Sequence, residues 1–297
     1  MMKHSQRREL LKKMGVAALA AMTPTLPMIA QNKAEKTKTL NGTINHSVCS
    51  WTYSHLSLAE LCDLALSLGI KAIDLVAPKD WHIVKDKGLH CSMCYTAGKI
   101  SLTEGWNNKA NHPWLLKDYQ EAIPLLKNAG YQNLICFSGN RNEMSDEEGL
   151  ENMLEGIRKI LPLAEQSGVT LQLELFNSKV DHKDYMADHS AWGIELCKRL
   201  GSSNFKLLYD IYHMQISEGD IIRTIQDNHQ YFGHYHTAGV PGRHEIDETQ
   251  ELNYRAIMKA IAFTGYTGYV AQEFIPSGQG NKEKAEALQK AISICDI

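Results

Sequence analysis

The chain has 297 residues, of which 43% are hydrophobic and 22% charged, close to the average of folded globular proteins, which excludes a disordered chain and a membrane-embedded body. Its formal net charge is −3, but residues 1–30 hold five Lys/Arg against one Glu and leave −7 on the rest. An acidic body without a basic patch interleaved with aromatics excludes nucleic acid as a partner and leaves small polar molecules, and a homo-oligomer is compatible with the same composition.

Lys3, Arg7, Arg8, Lys12 and Lys13 precede the weakly apolar GVAALAAM and a Thr/Pro-rich stretch ending at Ala30. Ser5-Gln6-Arg7-Arg8 followed by Leu10-Leu11-Lys12 resembles a twin-arginine export signal, whose Ala-rich core is too short to span a bilayer. Residues 1–30 therefore predict a signal peptide and a periplasmic or exported protein with no stable membrane anchor after signal removal. The alternative, a basic amphipathic N-terminus, leaves the chain cytoplasmic. Residues 31–45 read as a polar linker, and 46–297 as one catalytic domain.

From residue 46 on, short β-like runs alternate with amphipathic helical patterns, the signature of βα units and a parallel sheet. Strands are predicted over 46–51, 70–76, 89–95, 133–138, 170–176, 206–210, 232–237 and 269–274. The first helix opens at Ser57 with Glu60 three residues on, a capping box, and closes at Gly69. Further helices are predicted over 80–87, 113–129, 146–166, 187–200, 220–227, 254–263 and 282–294. Pro124 and Pro162 fall inside two of them, where a kink or a break is expected. Eight alternations without a composition break predict a single (β/α)8 TIM barrel of the α/β class, and the length suits one barrel of roughly 250 residues with extensions.

Seven cysteines are scattered through a chain too large to need disulfide staples, so they read as buried thiols. Cys91 and Cys94 form a lone C-x-x-C, but positions i and i+3 of a strand point to opposite faces, which argues against a functional pair.

The runs VTLQLELF, FKLLYD, YFGHYH and GYVAQEF carry Glu174, Asp210, His236 and Glu273 at their carboxyl ends. A charged group ending a buried strand requires a partner or an ion. No Lys or Arg adjoins them at the strand ends, and barrel active sites form at that rim. Three carboxylates and one imidazole suit a catalytic divalent cation, Mn²⁺ or Mg²⁺, with positions left for substrate oxygens. His213, three residues after Asp210, and Arg243, in VPGRHE, reach the same mouth and are candidate substrate-binding residues, the planar guanidinium suiting a carboxylate or paired hydroxyls. Trp51, Tyr53, Trp81 and Tyr95, near the ends of the first three strands, are candidates to stack on a sugar ring or to cap the core.

The segments LELFN, YDIYHMQISEGD, GHYHTAGVPGRHEIDETQELNY and GYVAQEF resemble the hydroxypyruvate isomerase group of the xylose-isomerase-like TIM-barrel superfamily, over about residues 168–276; the N-terminal half is similar in architecture alone. The resemblance implies that Glu174 and Glu273 are metal ligands and the catalytic proton-transfer pair, that Asp210 and His236 complete the metal sphere, and that His213 and Arg243 match the substrate-holding His and Arg of the related ketose 3-epimerases. His236 stands where the hydroxypyruvate isomerases carry Gln, as in the epimerases. The loop NSKVDHKDYMADH offers Asp181, His182 and Lys183 where the epimerases place a further Glu.

The resulting expectation is a metal-dependent isomerase acting on a small hydroxy-carbonyl compound or sugar through an enediolate. The alternative keeps that chemistry on a larger sugar or inositol derivative, with epimerisation or dehydration as the outcome. Export favours it, because hydroxypyruvate is a cytoplasmic metabolite. A non-catalytic carbohydrate-binding protein would not need both Glu, and the DNA-repair endonucleases of the superfamily need further His ligands and a basic face.

Overall fold

The computed structural model describes residues 39–297. The export signal expected over 1–30, and residues 31–38 of the expected linker, lie outside the described residues. Among the described residues no helix is long and apolar enough to cross a membrane.

Eight parallel strands, Asn45–Cys49 (β1), Ala72–Val76 (β2), His90–Cys94 (β3), Asn133–Cys136 (β4), Thr170–Glu174 (β5), Phe205–Asp210 (β6), Phe232–Thr237 (β7) and Tyr269–Gln272 (β8), pair in chain order, and β8 closes onto β1. Five of them stop one or two residues short of the apolar runs. The chain leaves the ladder there while its side chains stay buried, as Phe176 and Phe274 do, so hydrophobicity outlasts strand pairing.

Among the described residues nine α-helices surround the barrel: Leu58–Ser67 (α1), Trp81–Asp86 (α2), His112–Ala129 (α3), Asp146–Ser167 (α4), Ser190–Leu200 (α5), Ile211–Ser217 (α6), Ile221–Asn228 (α7), Tyr254–Phe263 (α8) and Asn281–Cys295 (α9). The capping box at Ser57 and Glu60 forms, with both reciprocal bonds present. Glycines 130, 168 and 201 end α3, α4 and α5 in the left-handed conformation that a side chain would strain. α6 has no counterpart in the predicted set. Five of its seven residues are buried, so it lacks the polar period by which a surface helix is recognised. Neither Pro124 nor Pro162 breaks its helix. Each costs one backbone bond, and the flanking Ile123, Leu126, Leu161 and Ala164, all buried, hold the helix on the sheet.

Two layers of packing fix which side chains point inward. On α5, a Cβ at Gly193 would stand 2.9 Å from Leu207 and 3.2 Å from Leu175, so these leucines face the helices. Period-two alternation turns Glu174 to the interior. Inside, a polar ladder climbs across the barrel: Gln172 Nε2 donates to Asn133 Oδ1 at 3.0 Å, Asn133 Nδ2 to the Ser92 carbonyl at 2.9 Å, and Ser92 Oγ to Asp74 Oδ2 at 2.6 Å.

All seven cysteines are free and buried. The opposite-face argument for Cys91 and Cys94 fails, because their sulfurs lie 3.3 Å apart. The register between β2 and β3 shifts on both sides of Asp74, and such a bulge breaks the two-residue alternation the argument assumed.

Candidate active site

Glu174 is the last residue of β5, Asp210 the last of β6 and His236 the penultimate residue of β7; Glu273 follows β8 and keeps a ladder-like bond from its N–H to the Thr237 carbonyl at 2.9 Å. Strand ends thus bring together four side chains that span a hundred residues of sequence. Their ligand atoms all lie within 4.8 Å of one another, and all four residues are buried. Glu174 Oε1 stands 3.0 Å and Glu273 Oε2 2.8 Å from His236 Nδ1. Asp210 divides its oxygens: Oδ1 caps α6 by accepting from the His213 N–H at 3.2 Å, and Oδ2 faces Arg243 at 3.3 Å.

Arg243 comes from the loop after β7, with its own backbone in the left-handed region at φ 60°. Its Nη2 donates to Glu273 Oε2 at 2.5 Å and its Nη1 to His213 Nε2 at 2.8 Å. The guanidinium lies 5.3 Å from the ring centres of both Trp51 and Tyr212. The expectation that no basic group adjoins the carboxylates is therefore corrected: the loop folds Arg243 back onto two of them, which distance along the chain concealed. His213 is fully buried one layer behind Arg243.

Burial, and then the charge of Glu273, pushes Glu174 and Asp210 above the usual carboxylate range, against the pull of His236 and Arg243. Burial would raise Glu273 as well, but His236, Arg243 and the Trp51 indole, whose Nε1 donates to Oε1 at 2.8 Å, hold it well below. Burial would lower His236; the surrounding acids raise it well above an ordinary imidazole. Burial and the Arg243 charge keep His213 neutral, which suits a ring nitrogen accepting from a guanidinium. Four carboxylates, Asp74 included, thus face two cationic groups, His236 and Arg243. In the cation-free chain the raised proton affinities of Glu174 and Asp210 offset this surplus of acids, and a divalent cation would take the place of those protons. Ligands bonded to one such ion at about 2.0–2.6 Å lie at most about twice that apart, so the 4.8 Å cluster and its hard oxygens fit Mn²⁺ or Mg²⁺.

Sequence reasoning missed Asp74. It is completely buried on β2, with Oδ1 3.0 Å from His236 Nε2 and Oδ2 2.9 Å from His234 Nε2. The signal was present, since an Asp inside the apolar run AIDLV needs a partner as much as one at a strand end does.

Above the cluster a cavity of about 240 Å³ is lined by the acids Glu174 and Glu273, by Arg243 and His182, and by an apolar wall that includes Trp51, Tyr95, Phe137 and Phe176. Of the four aromatics singled out from sequence, Trp51 and Tyr95 reach this cavity. Trp81 instead packs edge-on against Tyr131 at 5.2 Å, and Tyr53 against Phe274 at 6.5 Å.

A closed parallel barrel with a buried acid–imidazole cluster at the carboxyl rim is the ground plan of a (β/α)8 enzyme fold. The chain belongs to the Xylose isomerase-like TIM barrel family, whose profile matches residues 62–292. It is 35% identical over 123 residues to a 2-oxo-tetronate isomerase of Cupriavidus necator, covering 41% of this chain and 46% of that protein. A putative hydroxypyruvate isomerase of Mus musculus is 25% identical over 235 residues, 77% of this chain and 78% of that protein. Against the first of these curated relatives the chain spans about half of their length. Among solved structures, an AP endonuclease, family 2, from Brucella melitensis superposes with a TM-score of 0.72 at 22% identity, over 82% of this chain and 97% of that one, a likeness of fold alone.

Proposed function

We propose that the chain is a divalent-cation-dependent isomerase that moves a proton between neighbouring carbons of a small hydroxy-carbonyl compound or sugar. Glu174 and Glu273 form the proton-transfer pair, and Glu174, Asp210, His236 and Glu273 hold Mn²⁺ or Mg²⁺. The observation that carries this reading is the placement of two buried glutamates on one imidazole nitrogen, at 3.0 and 2.8 Å, in environments that push their proton affinities apart. Opposed pairs of this kind are how one site supplies an acid and a base at the same pH. The names of the curated relatives support the same reaction class.

When bound, the cation would stabilise negative charge developing on the substrate's carbonyl oxygen. The chain's own groups do the rest. Glu273, held ionised and oriented by Trp51 Nε1 and Arg243, accepts a proton from the carbon beside the carbonyl, and Glu174 returns one to the neighbouring carbon; the hydroxyl proton passes to the former carbonyl oxygen, and proton exchange with solvent between turnovers resets the two carboxyls. The guanidinium of Arg243 grips substrate oxygens through its fork, and neutral His213 fixes the fork's orientation from behind. The apolar wall excludes water, which protects the enediolate from stray protonation. The Arg7-Arg8 pair and the apolar stretch after it support export to the periplasm.

A second reading, a monosaccharide or inositol-sized substrate, is favoured by the cavity of about 240 Å³ and by Trp51, Tyr95, Phe137 and Phe176 in its wall, because aromatic faces suit the C–H face of a sugar ring. Solvent-deuterium incorporation into hydroxypyruvate, 2-oxo-tetronate, ketoses, aldoses and inosose separates the readings. Exchange into at least one of them is expected, and exchange into none, with Mn²⁺ supplied, would contradict the proposed reaction.

A further inference from the structure

Asp74 lies outside the four-residue cluster, yet the chain goes to some length to place it. Leu75, the next residue, is held at φ 58°, a left-handed conformation that strains a bulky side chain. The β2–β3 register shifts between Ile73 and Asp74 and again between Asp74 and Val76, and bulges next to sites re-aim side chains. The product of this irregularity is a carboxylate with no exposure, aimed under His236. Ser92 Oγ donates to Oδ2 at 2.6 Å, His236 Nε2 meets Oδ1 at 3.0 Å, and His234 Nε2 comes within 2.9 Å of Oδ2. Cys49 Sγ completes the shell at 3.5 Å.

His236 has only two ring nitrogens, and the carboxylates divide them. Nδ1 faces Glu174 and Glu273; Nε2 faces Asp74. A carboxylate on Nε2 fixes the Nε2–H tautomer, leaves the Nδ1 lone pair directed into the cluster, and makes that nitrogen a stronger donor. We infer that Asp74 is a positioning residue of the metal site: through His236 Nε2 it sets the orientation, tautomer and basicity of the one nitrogen ligand, with Ser92 clamping it from below. This rests on the proposed cation site. It also explains why β2 tolerates strain at Leu75, a position whose side chain already lines the cavity.

A second cation among Cys49, Asp74 and His236 is the competing use of these atoms, since they also lie within 4.8 Å of one another. Asp74 is instead bonded at 2.6 and 3.0 Å to protein donors, which leaves it as an acceptor already engaged.

The test titrates the full chain with MnCl2 in a calorimeter, beside thermal melts of the cation-free protein. Asp74→Asn keeps the volume and an acceptor but removes the charge. It is expected to bind one equivalent of Mn²⁺ about 10–100-fold more weakly than wild type, the loss typical of such supporting carboxylates, with a cooperative melt retained. Ser92→Ala removes one donor to Asp74 without touching His236. It is expected to weaken binding by about 2- to 5-fold, the value of one hydrogen bond, and it carries the test should Asp74→Asn not fold. A variant that folds and binds Mn²⁺ as wild type does would overturn the role of Asp74 and leave the proposed function standing. Two equivalents in wild type, reduced to one by Cys49→Ser, would make Asp74 a ligand and overturn it as well. No Mn²⁺ binding by wild type would overturn both readings together.

Discussion

Strands β5–β8 bring to the barrel mouth Glu174, Asp210, His236 and Glu273, with Arg243 folded over them, whereas β1–β4 and the loops after them bring Trp51, Leu75, Tyr95 and Phe137 and a single acid, Asp74, set beneath the others. One half of the barrel holds most of the charge and the other most of the apolar wall, to which Phe176, after β5, also contributes. The division has a physical basis. In the proposed site, acids and imidazole must converge to within bonding distance of one ion, which would tie their four strands to one another, while an apolar wall needs only to fill space and keep water out. Apart from Trp51, whose indole bonds Glu273, the wall would thus be free to vary without disturbing the proposed chemistry, and substrate choice would belong to it.

Changes that remove a proposed proton-transfer group should break this division most severely. Glu174→Gln and Glu273→Gln each keep shape and remove a base or acid, and each is expected to lower solvent-deuterium incorporation by about 10²–10⁴-fold with the thermal melt preserved. Near wild-type exchange in either variant would mean that the charged half does not carry the reaction.

Next in size are the groups proposed to hold the cation without transferring a proton. His236→Ala and Asp210→Asn should weaken Mn²⁺ binding by at least the about 10–100-fold expected for a supporting carboxylate, and excess Mn²⁺ should restore part of the lost exchange. Indifference to both chelator and added metal would point to a metal-free reaction. Proton competition sharpens the same point. Glu174 and Asp210 have raised proton affinities and His236 holds its proton tightly in the cation-free chain, so binding must release protons. Mn²⁺ affinity should therefore fall by about 10-fold per proton displaced for each unit of acidification between about pH 8 and about pH 6. A calorimetric titration at several pH values would read this directly, and a flat profile would contradict it.

The smallest effects should come from the wall. Tyr95→Leu or Phe137→Leu removes an aromatic face and is expected to raise KM for the preferred substrate by about 2- to 10-fold, with kcat nearly unchanged. A large fall in kcat instead would show that the wall takes part in the chemistry. Trp51→Phe should behave differently from both, because its Nε1 donates to Glu273, and it should lower kcat as well.

The same contrast explains what the sequence revealed. The charged half was legible because each of its residues ends an apolar run, so that Glu174, Asp210, His236 and Glu273 could be chosen one by one from local pattern. The barrel itself was legible from eight alternations of pattern. Arg243 was legible as a residue of the mouth but not as a partner of Glu273 and Asp210, since a loop's return path leaves no periodic trace. Asp74 was hidden for another reason. It sits in mid-strand beside a bulge, and the assumption of strict two-residue alternation, which also misplaced Cys91 against Cys94, fails at a bulge. The seven-residue α6 was hidden by burial, which erased its polar face. The N-terminal wall could be guessed only in part: Trp51 and Tyr95 reach the cavity while Tyr53 and Trp81 pack into the core, a choice set by tertiary packing.

The proposed convergence of four side chains on one cation is open to a direct check by anomalous scattering from a crystal of the chain grown with Mn²⁺. One strong peak is expected at the carboxyl rim, within bonding distance of Glu174, Asp210, His236 Nδ1 and Glu273. A map with no peak there, or with a peak bound through His236 Nε2 and Asp74 instead, would contradict it.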